Sequence, residues 1–334
     1  MSQPPLALSL GDPAGVGPEL IAEAWARRDE LGLPPFLACG GAGVLEQAAS
    51  ARGLDIPVRR IADPAEAAAV FPHALPVLGD SDTPYTPGEP TREGAALALA
   101  SLQQATRLVL EGHALALVTG PIAKARLAEV GFSHPGQTEF VAEACDVHPG
   151  DAVMMLAGPS LRTVPLTVHI ALADVPRALT TAMIERKGRI VALAMMRDFG
   201  IAAPRLAFAA LNPHAGEEGR MGDEESRVIS PALDLLRAEG VDALGPFPAD
   251  GMFAPRARQT YDVALCMYHD QALVPLKALD FDEGVNMTLG LPIVRTSPDH
   301  GTAFAIAGKR LADPGATIAA IRMAAECALR RNGR

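Results

Sequence analysis

Three histidines stand in one kind of sequence context. His169 closes Val164-Pro-Leu-Thr-Val-His, His214 closes Phe208-Ala-Ala-Leu-Asn-Pro-His, and His269 closes Val263-Ala-Leu-Cys-Met-Tyr-His. Each apolar run reads as a strand, so each imidazole is placed at a strand's carboxyl end, where open α/β sheets collect their ligands. They lie far apart along the chain, and no local motif such as HExxH links them. Three imidazoles meeting at one sheet edge would make an open metal site with room for water or substrate. Each one alone reads more readily as a hydrogen-bonded structural histidine, and it is the shared position of all three that points to a metal. Asp270 adjoins His269, and Asp250 lies in Pro248-Ala-Asp-Gly. Either carboxylate could orient a ligand imidazole from behind.

A second group of polar residues lies in otherwise apolar sequence towards the C-terminus: Lys277, Asn286 and Arg295. A lysine, an asparagine and an arginine at the ends of apolar runs suit a carboxylate or phosphate. The plainer reading makes Lys277 and Arg295 surface charges that flank strands. His300-Gly301-Thr302-Ala303 reads as a loop running into a short helix, with an imidazole able to stack on a planar ring. Near the N-terminus, Gly11-Asp-Pro-Ala-Gly-Val-Gly-Pro-Glu19 separates an apolar run from a helical pattern and could present N–H groups to an anion. It fits neither the GxGxxG fingerprint nor a P-loop. Gly40-Gly-Ala-Gly43 reads as packing at a tight turn.

These residues need elements to hold them. Seven short apolar runs read as strands: 6–10, 35–39, 115–119, 152–157, 163–169, 205–210 and 262–268. Being apolar almost throughout, they match strands covered on both faces, as in a largely parallel sheet. Helical patterns alternate with them at 18–28, 43–52, 91–111, 122–130, 138–145, 180–199, 224–239 and 314–330. Asp63 and Glu66 have the spacing of a capping box, and Pro18 suits a first helical turn. The alternation says α/β. With 334 residues, two domains are the natural count. A net charge of −10 argues against a nucleic-acid surface, which needs a basic stripe. No apolar run approaches the ~20 residues of a spanning helix, and no basic region precedes Leu6–Leu10 as in a signal peptide. Four scattered cysteines without a CxxC pair fit free thiols in a reducing cytoplasm.

Taken together, several ordered motifs resemble the 4-hydroxythreonine-4-phosphate dehydrogenase family of vitamin B6 biosynthesis, the PdxA family. They are Gly11–Glu19, Thr119-Gly-Pro-Ile-Ala-Lys124, Asn212-Pro-His-Ala-Gly, Tyr268-His-Asp-Gln, Gly284-Val-Asn-Met-Thr-Leu-Gly-Leu-Pro and Arg295-Thr-Ser-Pro-Asp-His-Gly-Thr-Ala303. The resemblance runs from about residue 5 to 330. It implies an isocitrate/isopropylmalate dehydrogenase-like fold, two α/β domains with a cleft between them. One lobe would span roughly residues 1–135 plus 300–334 on the cofactor side. The other, roughly 136–299, would carry metal, substrate and dimer contacts. The resemblance further implies a homodimer whose partner completes the active site. One divalent metal (zinc, magnesium or cobalt) would be held by His169, His214 and His269. Substrate would meet Gln137, Thr138, Lys277, Asn286 and Arg295, with Asp250 and Asp270 in support and Lys277 a candidate for proton transfer. NAD or NADP would meet His300, Gly301, Thr302 and Ala303.

One position departs from the family's pattern. Where the family commonly has Pro-Gly-His-Thr-Glu, this chain reads Pro135-Gly-Gln137-Thr138-Glu139. Glutamine still donates a hydrogen bond but cannot be protonated. The implied reaction is metal-dependent oxidation of 4-(phosphooxy)-L-threonine to 2-amino-3-oxo-4-(phosphooxy)butanoate, which decarboxylates to 3-amino-2-oxopropyl phosphate. Alternatives are another phosphorylated hydroxy-acid (4-phospho-threonate or 4-phospho-erythronate), a dihydrodiol, or more remotely a metal-dependent phosphoesterase or a non-catalytic anion-binding protein.

Overall fold

The computed structural model describes residues 3–333. The chain divides into two compact units. One is built from the segment up to Pro149 together with Leu291–Asn332, the other from Gly150–Gly290.

In the first unit six strands lie in the order β3-β4-β2-β1-β5-β12, all parallel. They are β1 (Leu6–Ser9), β2 (Phe36–Cys39), β3 (Val58–Ile61), β4 (Leu75–Leu78), β5 (Leu117–Thr119) and β12 (Arg295–Pro298). β1, β2, β4 and β5 are buried along their whole length, which explains their unbroken apolar sequence. The helix Arg92–Leu110 packs across β1, β2 and β5 and turns its apolar stripe inward. Thr91 caps it by accepting from the Gly94 N–H at 3.0 Å. Two local readings of the sequence hold here. Asp63 and Glu66 form a reciprocal capping box, and Pro18 sits in the first turn of the helix Gly17–Ala26.

In the second unit the order is β11-β6-β7-β10-β8-β9. Its strands are β6 (Val153–Ala157), β7 (Arg162–Pro165), β8 (Arg205–Ala209), β9 (Asp242–Phe247), β10 (Val263–Cys266) and β11 (Val285–Leu289). β7, β10, β8 and β9 are parallel, whereas β6 runs antiparallel to both β7 and β11. The helix Thr181–Arg197 packs against Ser230–Ala238, while His269–Asp280 lies on β6, β7 and β10. Leu156, Ala207, Ala264, Cys266, Ala272 and Leu276 are among the side chains buried together beneath that last helix.

All seven expected strands are present, most of them shorter than their apolar runs. Five further strands were not read from the sequence. Of these, β4, β9 and β12 contain proline, and β3 carries two exposed arginines. The stretch 224–239 is not one regular helix: a π-turn over Glu225–Ile229 precedes the α-helix Ser230–Ala238. All four cysteines are free. Among the described residues no helix is long and apolar enough to cross a membrane.

Candidate functional site

The three histidines belong to the second unit and leave neighbouring strands. β10 lies between β7 and β8, all three parallel, so their carboxyl ends share one edge. The strands stop earlier than the apolar runs, at Pro165, Ala209 and Cys266, so each histidine stands on the following turn. His269 opens the helix His269–Asp280. Its Nδ1 lies 2.7 Å from Asp270 Oδ1, which leaves Nε2 as the nitrogen available to an incoming group. His169 faces it with ring centroids 5.8 Å apart. An open cavity of about 270 Å³ is lined by both imidazoles with Thr167, Leu172, Val175 and Tyr268. These two imidazoles are the side chains of the cavity that would hold a divalent ion.

His214 is not brought into this pair. It is exposed, and among the described residues no three metal-capable side chains form a cluster. The turn that carries it has an unusual backbone. His214, Ala215, Gly216, Glu217 and Glu218 all have positive φ, from 43° to 76°. Four of the five are not glycine, and each such residue costs about 1–2 kcal/mol.

Three side chains that sequence reasoning did not single out join these strand ends. Thr167 Oγ1 donates to Met267 O at 2.8 Å, tying the His169 turn to the end of β10. Gln271 is only 8% exposed. Its Oε1 accepts from the Met267 N–H at 2.6 Å, and its Nε2 donates to Ala210 O at 2.8 Å, tying β10 to β8. Glu225, 6% exposed, accepts from the Leu211 and Asn212 N–H groups at 2.9 and 2.8 Å. Only Gln271 stood in a motif visible in the sequence. The other two are ordinary residue types whose partners are set by topology.

The remaining candidates of this unit separate. Asp250 is exposed in a short helix, where its Oδ1 accepts from the Gly251 N–H. It shows none of the imidazole contact that Asp270 makes. Lys277 follows His269 by eight residues on one helix, about 12 Å along the axis. Its Nζ stands 5.9 Å from the centre of the Phe281 ring. Asn286 lies on β11, with its Oδ1 buried and without a hydrogen-bond partner.

The first unit carries the rest. Arg295, on β12, is 4% exposed and its Nη2 donates to Thr119 Oγ1 at 2.7 Å. It is therefore no surface charge flanking a strand. Burial lowers its pKa to about 10, opposed by the Glu139 carboxylate. Gln137 and Thr138 open the helix Gln137–Ala144, and Gln137 Nε2 donates to Gly120 O at 3.0 Å. Gln137 Oε1 is buried without a partner.

The His300–Ala303 segment does not run into a short helix; irregular turns continue to residue 310. His300 keeps Nδ1 2.9 Å from Gly301 O, while its Nε2 is buried and lacks a partner. Thr302 O accepts from the Val16 N–H at 3.0 Å. Four N–H groups of the Gly11–Glu19 loop have partners: Asp12 on Pro121 O, Ala14 on Asp12 Oδ1, Gly15 on Asp12 O, and Val16 on Thr302 O. A methyl group at Gly15 would lie 2.7 Å from Thr302 O, so glycine lets the two backbones meet. Gly40 and Gly41, both at φ 73°, face Leu97 and Leu10, as expected of packing at a tight turn.

Residues 33–324 match the family model described as pyridoxal phosphate biosynthetic protein PdxA. The chain belongs to the PdxA family. It is 60% identical, over 98% of both chains, to a 4-hydroxythreonine-4-phosphate dehydrogenase of Erythrobacter litoralis. Its structure superposes on the crystal structure of the Klebsiella pneumoniae 4-hydroxythreonine-4-phosphate dehydrogenase with a TM-score of 0.87. That match has 36% identity and covers 98% of each chain. A terephthalate 1,2-cis-dihydrodiol dehydrogenase from Burkholderia xenovorans is more distant, with a TM-score of 0.64 and 29% identity over 99% of each chain. This PdxA chain is thus an oxidoreductase with the α/β fold of its family.

Proposed function

We propose that this chain catalyses the NAD- or NADP-linked oxidation of 4-(phosphooxy)-L-threonine in pyridoxal phosphate biosynthesis. The product, 2-amino-3-oxo-4-(phosphooxy)butanoate, is a β-keto acid that decarboxylates to 3-amino-2-oxopropyl phosphate. The observation that carries this reading is the placement of His169, His269 and His214 on the turns after three adjacent parallel strands, with Asp270 already on His269 Nδ1. The proposed donors are the imidazoles of His169 and His269, which stand side by side, and that of His214, which this structure does not gather with them. When bound, the ion supplies Lewis acidity beside the hydroxyl to be oxidised and the nicotinamide supplies the hydride acceptor.

The chain's own residues do the rest. Asp270 fixes the ring orientation and tautomer of His269. Thr167 and Gln271 set the spacing of the strand ends. Gln137, Thr138, Lys277, Asn286 and Arg295 are the side chains proposed to bind the substrate's phosphate and carboxylate. Lys277 is the side chain in this set able to take the hydroxyl proton. His300–Ala303, pinned through Thr302 to Val16, receives the cofactor. The working form is a homodimer in the cytoplasm, with the second copy completing the site.

The experiment is cofactor reduction with 4-(phosphooxy)-L-threonine beside 4-phospho-threonate, 4-phospho-erythronate and a dihydrodiol. Reduction that is fastest with 4-(phosphooxy)-L-threonine is expected. Preference for another substrate would move this chain to a different reaction on the same fold. Release of phosphate without cofactor reduction would make it a hydrolase.

A further inference from the structure

Arg295 is a cation only 4% exposed, and burial works against its charge. An exposed guanidinium can swing to meet a ligand. A buried one offers a single edge, so whatever fixes its direction also fixes what it can bind.

Sheet register supplies that direction. β12 and β5 are parallel neighbours, with Arg295 paired to Leu117 and Thr296 to Val118. Side chains alternate along a strand, so Arg295, Leu117 and Thr119 share one face of the sheet and Thr296 turns to the other. Thr296 Oγ1 accordingly donates to Ala320 O at 2.9 Å. Thr119 is the last residue of β5 and stands diagonally ahead of Arg295, towards the carboxyl ends of both strands. The arginine side chain runs that way, and Nη2 donates to Thr119 Oγ1 at 2.7 Å. A guanidinium has no acceptor, so the fully buried hydroxyl of Thr119 can only accept from it.

Thr119 also leads into the turn that meets the next helix. Gly120 O accepts from Gln137 Nε2 at the start of the helix Gln137–Ala144. Glu139, in the first turn of that helix, is the carboxylate whose charge favours ionised Arg295. A methyl group at Gly136 would lie 3.0 Å from Glu139 Oε2 and 3.5 Å from Lys124 Nζ, so both of these charges crowd the same turn. All of these residues belong to the first unit.

We infer that Thr119 is a positioning residue for Arg295: by accepting from Nη2 it holds the guanidinium at the angle from which it grips the substrate's carboxylate or phosphate. This rests on the reading above in which Arg295 meets substrate. It involves neither the imidazoles nor the cofactor loop.

The test is calorimetric titration with 4-(phosphooxy)-L-threonine, beside steady-state kinetics, nicotinamide-cofactor binding by fluorescence, and thermal unfolding. Thr119→Val keeps the shape and removes the acceptor. It is expected to raise the substrate Kd and KM about tenfold, with kcat changed far less and the cofactor Kd unmoved. Thr119→Ser keeps the hydroxyl and should restore the parent values. In an Arg295→Met background Thr119→Val should weaken substrate binding no further, because Thr119 acts only through Arg295. A merely structural threonine would lower the melting temperature in Thr119→Val and leave substrate affinity at the parent value. That result, with Arg295→Met impaired, overturns the inference and leaves the substrate reading standing. So does a double variant weaker than Arg295→Met by the full Thr119 effect, or a Thr119→Ser variant as impaired as Thr119→Val. If Thr119→Val does not fold, Thr119→Cys, whose thiol accepts only weakly, is compared with Thr119→Ser by the same measures. No binding by the parent, or parent affinity in Arg295→Met, overturns the reading of Arg295 as a substrate residue and this inference with it.

Discussion

Each unit sets some of its candidate residues beyond the carboxyl ends of parallel strands, the three histidines in one and the Gly11–Gly17 loop and His300–Ala303 in the other, but the two build them by opposite means. In the second unit side chains do the work. Imidazoles project from the turns after β7, β8 and β10, and Thr167, Gln271 and Glu225 hold those turns through hydrogen bonds. In the first unit the backbone does it. The Gly11–Gly17 loop meets Pro121 and Thr302 through main-chain hydrogen bonds, and glycine is needed where chains touch. The contrast follows from the ligands proposed for each. A divalent ion needs donor atoms at short, fixed distances, whereas a nicotinamide nucleotide needs a shaped surface along its length.

Breaking either device separates the two roles, and the largest effect is expected in the second unit. Removing an imidazole, as in His269→Ala, should abolish metal retention and turnover together, measured by metal content after desalting and by cofactor reduction. Next comes Gly15→Ala. Its methyl would press on a carbonyl and not on a flexible side chain, so the 300–303 loop must shift. The cofactor KM is expected to rise about tenfold while Co²⁺ affinity stays unchanged; a loss of Co²⁺ affinity would erase the distinction between the units. Gln271→Leu removes the bridge between β10 and β8 and should weaken Co²⁺ binding about tenfold, with the cofactor KM unmoved.

Smaller effects sharpen the comparison. Gln137→His should change the substrate KM severalfold and the cofactor KM little; an equal change in both would place position 137 on the wrong ligand. The smallest concerns Glu19, which is fully buried beside Arg52 with its pKa raised, chiefly by burial. A carboxyl whose folded pKa lies above its unfolded value near 4.5 favours folding most when protonated. Its contribution is therefore present at pH below that value and is lost as pH rises through the raised pKa. The melting temperature of Glu19→Gln relative to the parent should rise over that interval, by a few degrees at most; a constant offset from pH 4 to 8 would contradict the assignment.

Much of this was legible in the sequence, for identifiable reasons. Apolar runs announce strands buried on both faces, so β1, β2, β5, β6, β7, β8 and β10, and the histidines after β7, β8 and β10, could be placed. β9 and β12 could not, because Gly245-Pro246 and Thr296-Ser-Pro look like loops until neighbouring strands supply their partners. The glycine loop was located correctly. A run of glycines marks close approach, and only topology shows that Thr302 and Pro121 are what its backbone meets. Glu225 was invisible for a related reason. It sat inside an apparently regular helix, and its contacts depend on the π-turn and on Asn212, 13 residues away in the segment after β8.

The central claim is that His169, His214 and His269 hold one divalent ion on which the oxidation of 4-(phosphooxy)-L-threonine depends. It is tested most directly by following reduced-nicotinamide absorbance with that substrate before chelation, after chelation, and after Co²⁺ or Zn²⁺ is returned, in the parent and in His214→Ala. The account predicts turnover that is lost on chelation and restored by the ion in the parent, and never restored in the variant. Full turnover by chelated protein, or by His214→Ala, would contradict it.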